Sequence, residues 1–89
     1  MIDNRARLIE IEQRLRAALA PTEFELLDES HLHAGHAGAL TGKGHFAVRI
    51  VSEQFRGKLP LARHRLVYAA LAELMETDIH ALRIDAQAP

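Results

Sequence analysis

Between Arg5 and Ala20 the apolar residues Leu8, Ile11, Leu15, Ala18 and Leu19 recur at steps of three and four. They fall on one stripe of a helix, with Arg7, Glu10, Gln13 and Arg14 on the side expected to face water. Asp3 or Asn4 offers a capping side chain at its start, and Pro21 closes it, because the residue before a proline is pushed out of helical geometry. The period then drops to two. Phe24, Leu26 and Asp28 alternate with Glu25 and Leu27 over Glu23–Asp28, and the acidic content suits an edge strand with one solvated face. His45 to Val51 alternates more cleanly, with Phe46, Val48 and Ile50 on one face. The segment 52–58 reads as a turn, and Pro60 suits the first turn of a helix predicted to reach about Glu76. Val67, Ala70, Leu71 and Leu74 form its core stripe, widened by Leu61, Tyr68 and Met75. Asp78 marks the exit, and Ile79 to Asp85 is the third strand.

This α-β-β-α-β order predicts an α+β fold, a single domain over residues 1–89. A hairpin pairs the first two strands, and a right-handed helical crossover returns the third parallel to a neighbour. Both helices then cover one face of a three-stranded sheet. Eighty-nine residues allow one small core. Only Phe24, Phe46, Phe55 and Tyr68 are aromatic, so Leu, Ile, Val and Ala must fill most of it.

Composition changes the picture mainly through what is missing. With no cysteine there is no disulfide framework, and the cytoplasm is the simplest compartment. Nor can the chain alone supply the thiolates that usually hold an iron–sulfur cluster or a zinc ion, so any metal must use imidazole, carboxylate or a partner's ligands. No apolar run approaches the roughly 20 residues needed to span a bilayer. No secretory signal and no membrane partner are expected.

The net charge of −1 hides an uneven distribution. Lys43, Arg49, Arg56, Lys58, Arg63 and Arg65 crowd the middle third against Glu53 alone. Such a band is the minimum footprint for phosphate or an acidic protein face, and equally describes a solvated surface. Three of the six histidines, His31, His33 and His36, lie within six residues of a glycine-rich stretch between the first two strands. A loop of this length is more often functional or partly disordered. It is either a nitrogen-ligand site or a solvated cluster. His80 shares strand parity with Leu82 and Ile84, which on its own favours a core histidine over a ligand. His45 starts a strand and reads as exposed, and His64 belongs to the helix. Catalysis finds no support: there is no cysteine nucleophile, and neighbouring Asp28 and Glu29 point to opposite faces of an extended segment. A carboxylate there is expected to cap the loop or tune a histidine.

The residues Asp28-Glu29-Ser30 followed by His33, then His45-Phe46, Val51-Ser52 with Phe55-Arg56-Gly57, the run Arg63 to Tyr68, and Ile79-His80-Ala81-Leu82 together resemble the BolA family over almost the whole chain. The resemblance implies a class II KH-like fold. It implies partnership with monothiol glutaredoxins of the Cys-Gly-Phe-Ser type, in which a 2Fe-2S cluster is shared, with sulfur from the partner and glutathione and imidazole from the BolA protein; no cluster is held alone. Carried over by position, the family's ligands fall on His80 and on His33, with His31 and His36 as neighbours that depart from a single-ligand pattern. The family is also described as regulating transcription, including stress responses, by binding DNA. Duplex binding here would draw on Arg56, Lys58, Arg63 and Arg65. The Gly-x-x-Gly grip of a KH domain is incomplete, since the turn reads Arg56-Gly57-Lys58-Leu59. Alone, the protein is expected to be a monomer or weak homodimer.

Overall fold

A computed structural model describes residues 4–30 and 43–89. Helix α1 (Asn4–Leu19) is followed by strands β1 (Glu23–Asp28) and β2 (Gly44–Val51), a single 3-10 turn (Glu53–Phe55), helices α2 (Pro60–Leu71) and α3 (Leu74–Thr77), and strand β3 (Ile79–Gln87). The sheet order is β1-β2-β3, with β1 antiparallel and β3 parallel to β2. The predicted α+β architecture is the one observed.

The core lies between the helices and one face of the sheet. Ile11, Leu15 and Leu19 of α1 meet Phe46, Val48 and Ile50 of β2, Phe55 of the turn, Val67 and Leu71 of α2, Leu74 and Ile79. Pro21 follows a C-cap in which Ala20 takes a left-handed φ of 44° and its N–H donates to the Arg16 carbonyl. The buried Ser52 hydroxyl donates to the Leu19 carbonyl and accepts from the Gln54 N–H, bolting the end of α1 to the end of β2. β1 is an edge strand whose residues alternate between exposed and half-buried, as its mixed composition predicts.

Four expectations need correction. The second helix is not continuous to Glu76. It breaks at Ala72, whose φ of 46° and ψ of −122° turn the chain before the short α3. Arg14 makes that break possible by donating to the Leu71 carbonyl and pairing with Glu73. Leu61 and Tyr68 are exposed rather than part of the core stripe, because α2 turns only its Val67–Leu71 side inward. On α1, Ala18 is exposed, whereas Arg7 is buried instead of facing water. β3 also runs two residues further than predicted, to Gln87.

Candidate functional site

The described ends of the histidine-rich segment are built by a polar network at the end of the sheet where β2 and β3 begin. Arg7, 7% exposed, donates from Nε to Asp78 Oδ2 at 3.0 Å and from Nη1 to Asn4 Oδ1 at 2.9 Å. A buried guanidinium is tolerated only when its charge and N–H groups are met, and here one carboxylate and one amide meet them. Asn4 Nδ2 donates to Ser30 Oγ at 2.9 Å, and Ser30 Oγ accepts the His45 N–H at 3.0 Å. The Gly44 N–H donates to the Asp78 carbonyl. The Thr77 hydroxyl and Arg7 hold the Asp78 carboxyl below its ordinary range. Asp28 accepts the Ser30 N–H, the capping role anticipated for a carboxylate at this point. Both feet of the segment, Ser30 and Gly44-His45, are thus tied to the first turn of α1 and to the entry of β3.

The same end positions two histidines. Gly44 is matched with Ile79 and His45 with Ala81, so β3 carries one residue more than β2, and that residue is His80. A bulge re-aims the side chain of the extra residue. His80 is exposed, which excludes the core-histidine reading drawn from parity with Leu82 and Ile84. His45 behaves in the opposite way to its expectation: it is buried, 5% exposed, with its ring centroid 5.0 Å from that of His80 at an interplanar angle of 51°. Beside them an open hollow of about 270 Å³ is lined by Glu29, His45, Phe46, Ala81, Leu82 and Arg83, with Glu29 and Arg83 ion-paired across its rim. Among the described residues no group of three or more potential ligands converges. The donor set that is present, two adjacent imidazoles with one at the surface, therefore fits part of a site completed by other ligands. His31, His33 and His36 lie outside the described residues.

The basic band is divided: Lys43 adjoins the histidine end and Arg49 lies within β2, while Arg56, Lys58, Arg63 and Arg65 follow the other end of that strand, roughly 20 Å away at about 3.3 Å per residue. Its charges are unequal in availability. Arg56 donates to both Glu53 oxygens and to the Pro89 carbonyl. Arg63 donates to the carbonyls of Lys58 and Ala86. The side chains of Lys58 and Arg65 make no hydrogen bond or ion pair with the described residues. Gly57 holds the turn with a φ of 76° and open space around its Cα.

The family model for BolA-like proteins matches residues 15–89. This chain belongs to the BolA-like family. It is 45% identical over 74 residues to the Escherichia coli DNA-binding transcriptional regulator BolA, covering 83% of this chain and 68% of that protein. It is 40% identical over 89 residues to the Arabidopsis thaliana SufE-like protein 1, chloroplastic/mitochondrial, covering 94% of this chain but only 24% of the longer protein. The solved BolA domain of that SufE1 protein superimposes with a TM-score of 0.84 at 41% identity, over 94% of this chain and 93% of that one. The BolA resemblance already carried His45-Phe46 in its pattern. That pair is the sequence signal for His45, which position alone does not give, because a histidine opening a strand ordinarily faces water.

Proposed function

We propose that this BolA-like domain is an adaptor for a monothiol glutaredoxin of the Cys-Gly-Phe-Ser type, accepting a share in a 2Fe-2S cluster that reaches it on the partner. One observation carries the reading: His80, displaced from the ladder by a bulge, stands exposed against the buried His45 ring at the foot of the histidine-rich segment. His80 and one loop imidazole, His33 with His31 and His36 alongside, are the proposed ligands, and glutathione and the partner supply sulfur. Imidazole in place of thiolate lowers the negative charge at one iron and raises the reduction potential. The network of Arg7, Asn4, Ser30 and Asp78 fixes the feet of the histidine-rich segment at Ser30 and at Gly44-His45. The reading assigns the domain a role in iron–sulfur trafficking or iron and redox regulation in the cytoplasm, with no reaction of its own. Among the described residues no helix is long and apolar enough to cross a membrane.

Visible circular dichroism during titration of a 2Fe-2S-loaded glutaredoxin with this protein tests it. A spectral change saturating at one to one, altered in His80→Ala and in His33→Ala, is the expected result. An unchanged spectrum with the wild-type protein removes the reading.

The second reading, duplex DNA binding, is favoured by the name of the Escherichia coli relative. Of the four residues assigned to it, Lys58 and Arg65 remain available, while Arg56 and Arg63 are engaged within the fold. With two ready cations, a log–log slope of retention against salt of only about 2 in magnitude is expected. A log–log slope of retention against salt well above that value would mean that other residues carry the contact.

A further inference from the structure

β3 is an edge strand, and among the described residues nothing pairs with its outer side. The direction of its backbone groups follows from the ladder. The Ser52 N–H donates to the Gln87 carbonyl, so Gln87 and, by alternation, Asp85, Arg83 and Ala81 turn their backbone groups towards β2. Leu82, Ile84 and Ala86 turn theirs outward. The Arg63 guanidinium, which reaches the Ala86 carbonyl, confirms that direction independently and covers one acceptor of the row. Leu82 and Ile84 have no comparable cover among the described residues. A long edge strand left in this state is a template for another strand unless charge, proline or a bulge defends it.

The bulge defends only the entry. Beyond His80 the register with β2 is regular from Ala81 to Gln87, and the centre of that stretch is Ile84. An antiparallel partner must set outward-facing residues opposite outward-facing residues, which leaves only registers differing by steps of two. Placing Ile84 opposite itself sets Arg83 against Asp85 and Asp85 against Arg83, with Leu82 opposite Ala86. The neighbouring registers set Arg83 against Arg83 or Asp85 against Asp85. Arg83 and Asp85 are both exposed on the sheet face away from the helices, where Arg83 also pairs with Glu29 and Asp85 accepts from Gln87, leaving each with further hydrogen-bonding capacity. Opposite charges directly across a strand pair are favourable and like charges unfavourable, so the side chains select the register that also uses the whole regular stretch.

We propose that the outer edge of β3 pairs antiparallel with β3 of a second copy of this chain about a twofold axis at Ile84, giving a continuous sheet with the helices of both copies on one face. Ile84 exchanges backbone hydrogen bonds with Ile84 of the second copy, and Leu82 with Ala86. The Ala86 carbonyl, with two lone pairs, serves both Arg63 and the incoming N–H. The surface adjoins the histidine end, where Leu82 and Arg83 also line the hollow, but the pairing does not require a cluster.

The test is sedimentation equilibrium of the full chain, alone and in mixtures. Wild type should show a concentration-dependent dimer. Arg83→Glu gives a strand with two carboxylates and Asp85→Arg a strand with two guanidinium groups, so each variant alone should lose dimerisation at least tenfold, with far-UV circular dichroism confirming its fold. An equimolar mixture of the two should recover it, because every cross-strand pair is then again of opposite sign. A monomeric wild type at millimolar concentration, single variants that dimerise as wild type does, or a mixture no better than its components would each overturn the proposal. As a second measurement, the amides of Leu82 and Ile84 should gain hydrogen-exchange protection with rising wild-type concentration; unchanged exchange would count against the pairing even if some dimer forms.

Discussion

At the end of the sheet where β2 and β3 begin, an arginine is drawn into the interior: Arg7 loses its water and gains Asp78 and Asn4. At the opposite end, Arg56 and Arg63 stay near the surface, yet they too are occupied, by Glu53 and by backbone carbonyls. The difference lies in what happens if each is removed. The first arginine leaves a buried carboxylate behind, while the second pair leaves groups that water can reach. A count of basic residues along the chain therefore overstates the charge at each end where a carboxylate pairs it, as for Arg7 and Arg56. Arg63, by contrast, keeps its charge and gives up only N–H donors to carbonyls. What the histidine end presents is imidazole on a braced frame, and what the basic end presents is Lys58 and Arg65.

The largest expected effect tests the buried pair. Arg7→Met should cost about 3–5 kcal/mol in denaturant unfolding, since it strands the Asp78 carboxylate, whereas Arg7→Met with Asp78→Leu should recover most of the loss. Equal destabilisation of the single and double variants would show that packing rather than charge is at stake. The pair also has an acid signature. The Asp78 carboxyl is held below its ordinary value of 3.8 by Thr77 and Arg7. Its contribution is complete above that value and fades as the pH falls through the lower native one. The double variant should show a shallower acid limb in unfolding curves.

Next in size is Gly44→Ala at the foot of the loop. A Cβ there would strike the ring of Phe46, which is 1% exposed and cannot move aside. A loss of about 1–3 kcal/mol is expected, read as a lower thermal midpoint. At the basic end, Arg63→Ala should cost about 1 kcal/mol for its two carbonyl contacts, and Lys58→Ala less than about 0.5 kcal/mol. DNA retention should respond in the reverse order, falling more with Lys58→Ala. If Arg63→Ala weakens retention at unchanged stability, the contrast between the two ends is wrong. The smallest effect is a gain: Ala72→Gly relieves a backbone conformation that disfavours a Cβ and should raise stability by about 0.5–1 kcal/mol.

Periodicity located the elements because burial of Ile11, Leu15, Phe46, Val48, Ile50, Val67 and Leu71 is a one-sided demand that leaves a pattern. The bounds of β1 could be read directly, since Pro21 stands before it and the alternation stops after Asp28. The helix break at Ala72 left no such mark: neither glycine nor proline stands there, and the turn is held by Arg14, far away in sequence. The burial of Arg7 was hidden for the same reason, because its partner lies in another element. Within the candidate site, His80 is singled out in the sequence only by the family resemblance. The bulge that exposes it, and the packing of His45 behind it, follow from the offset between two parallel strands, which no local pattern encodes.

The contact between Arg7 and Asp78 spans 71 positions of chain. While the protein is being synthesised, α1 emerges with its guanidinium long before the carboxylate that permits its burial exists. Until Asp78 has cleared the ribosome, docking α1 would bury an uncompensated charge. β1 and β2 can pair early, but the core cannot close over them. The domain is therefore expected to fold late and in one step, with nascent chains that end before Asp78 remaining open to proteases.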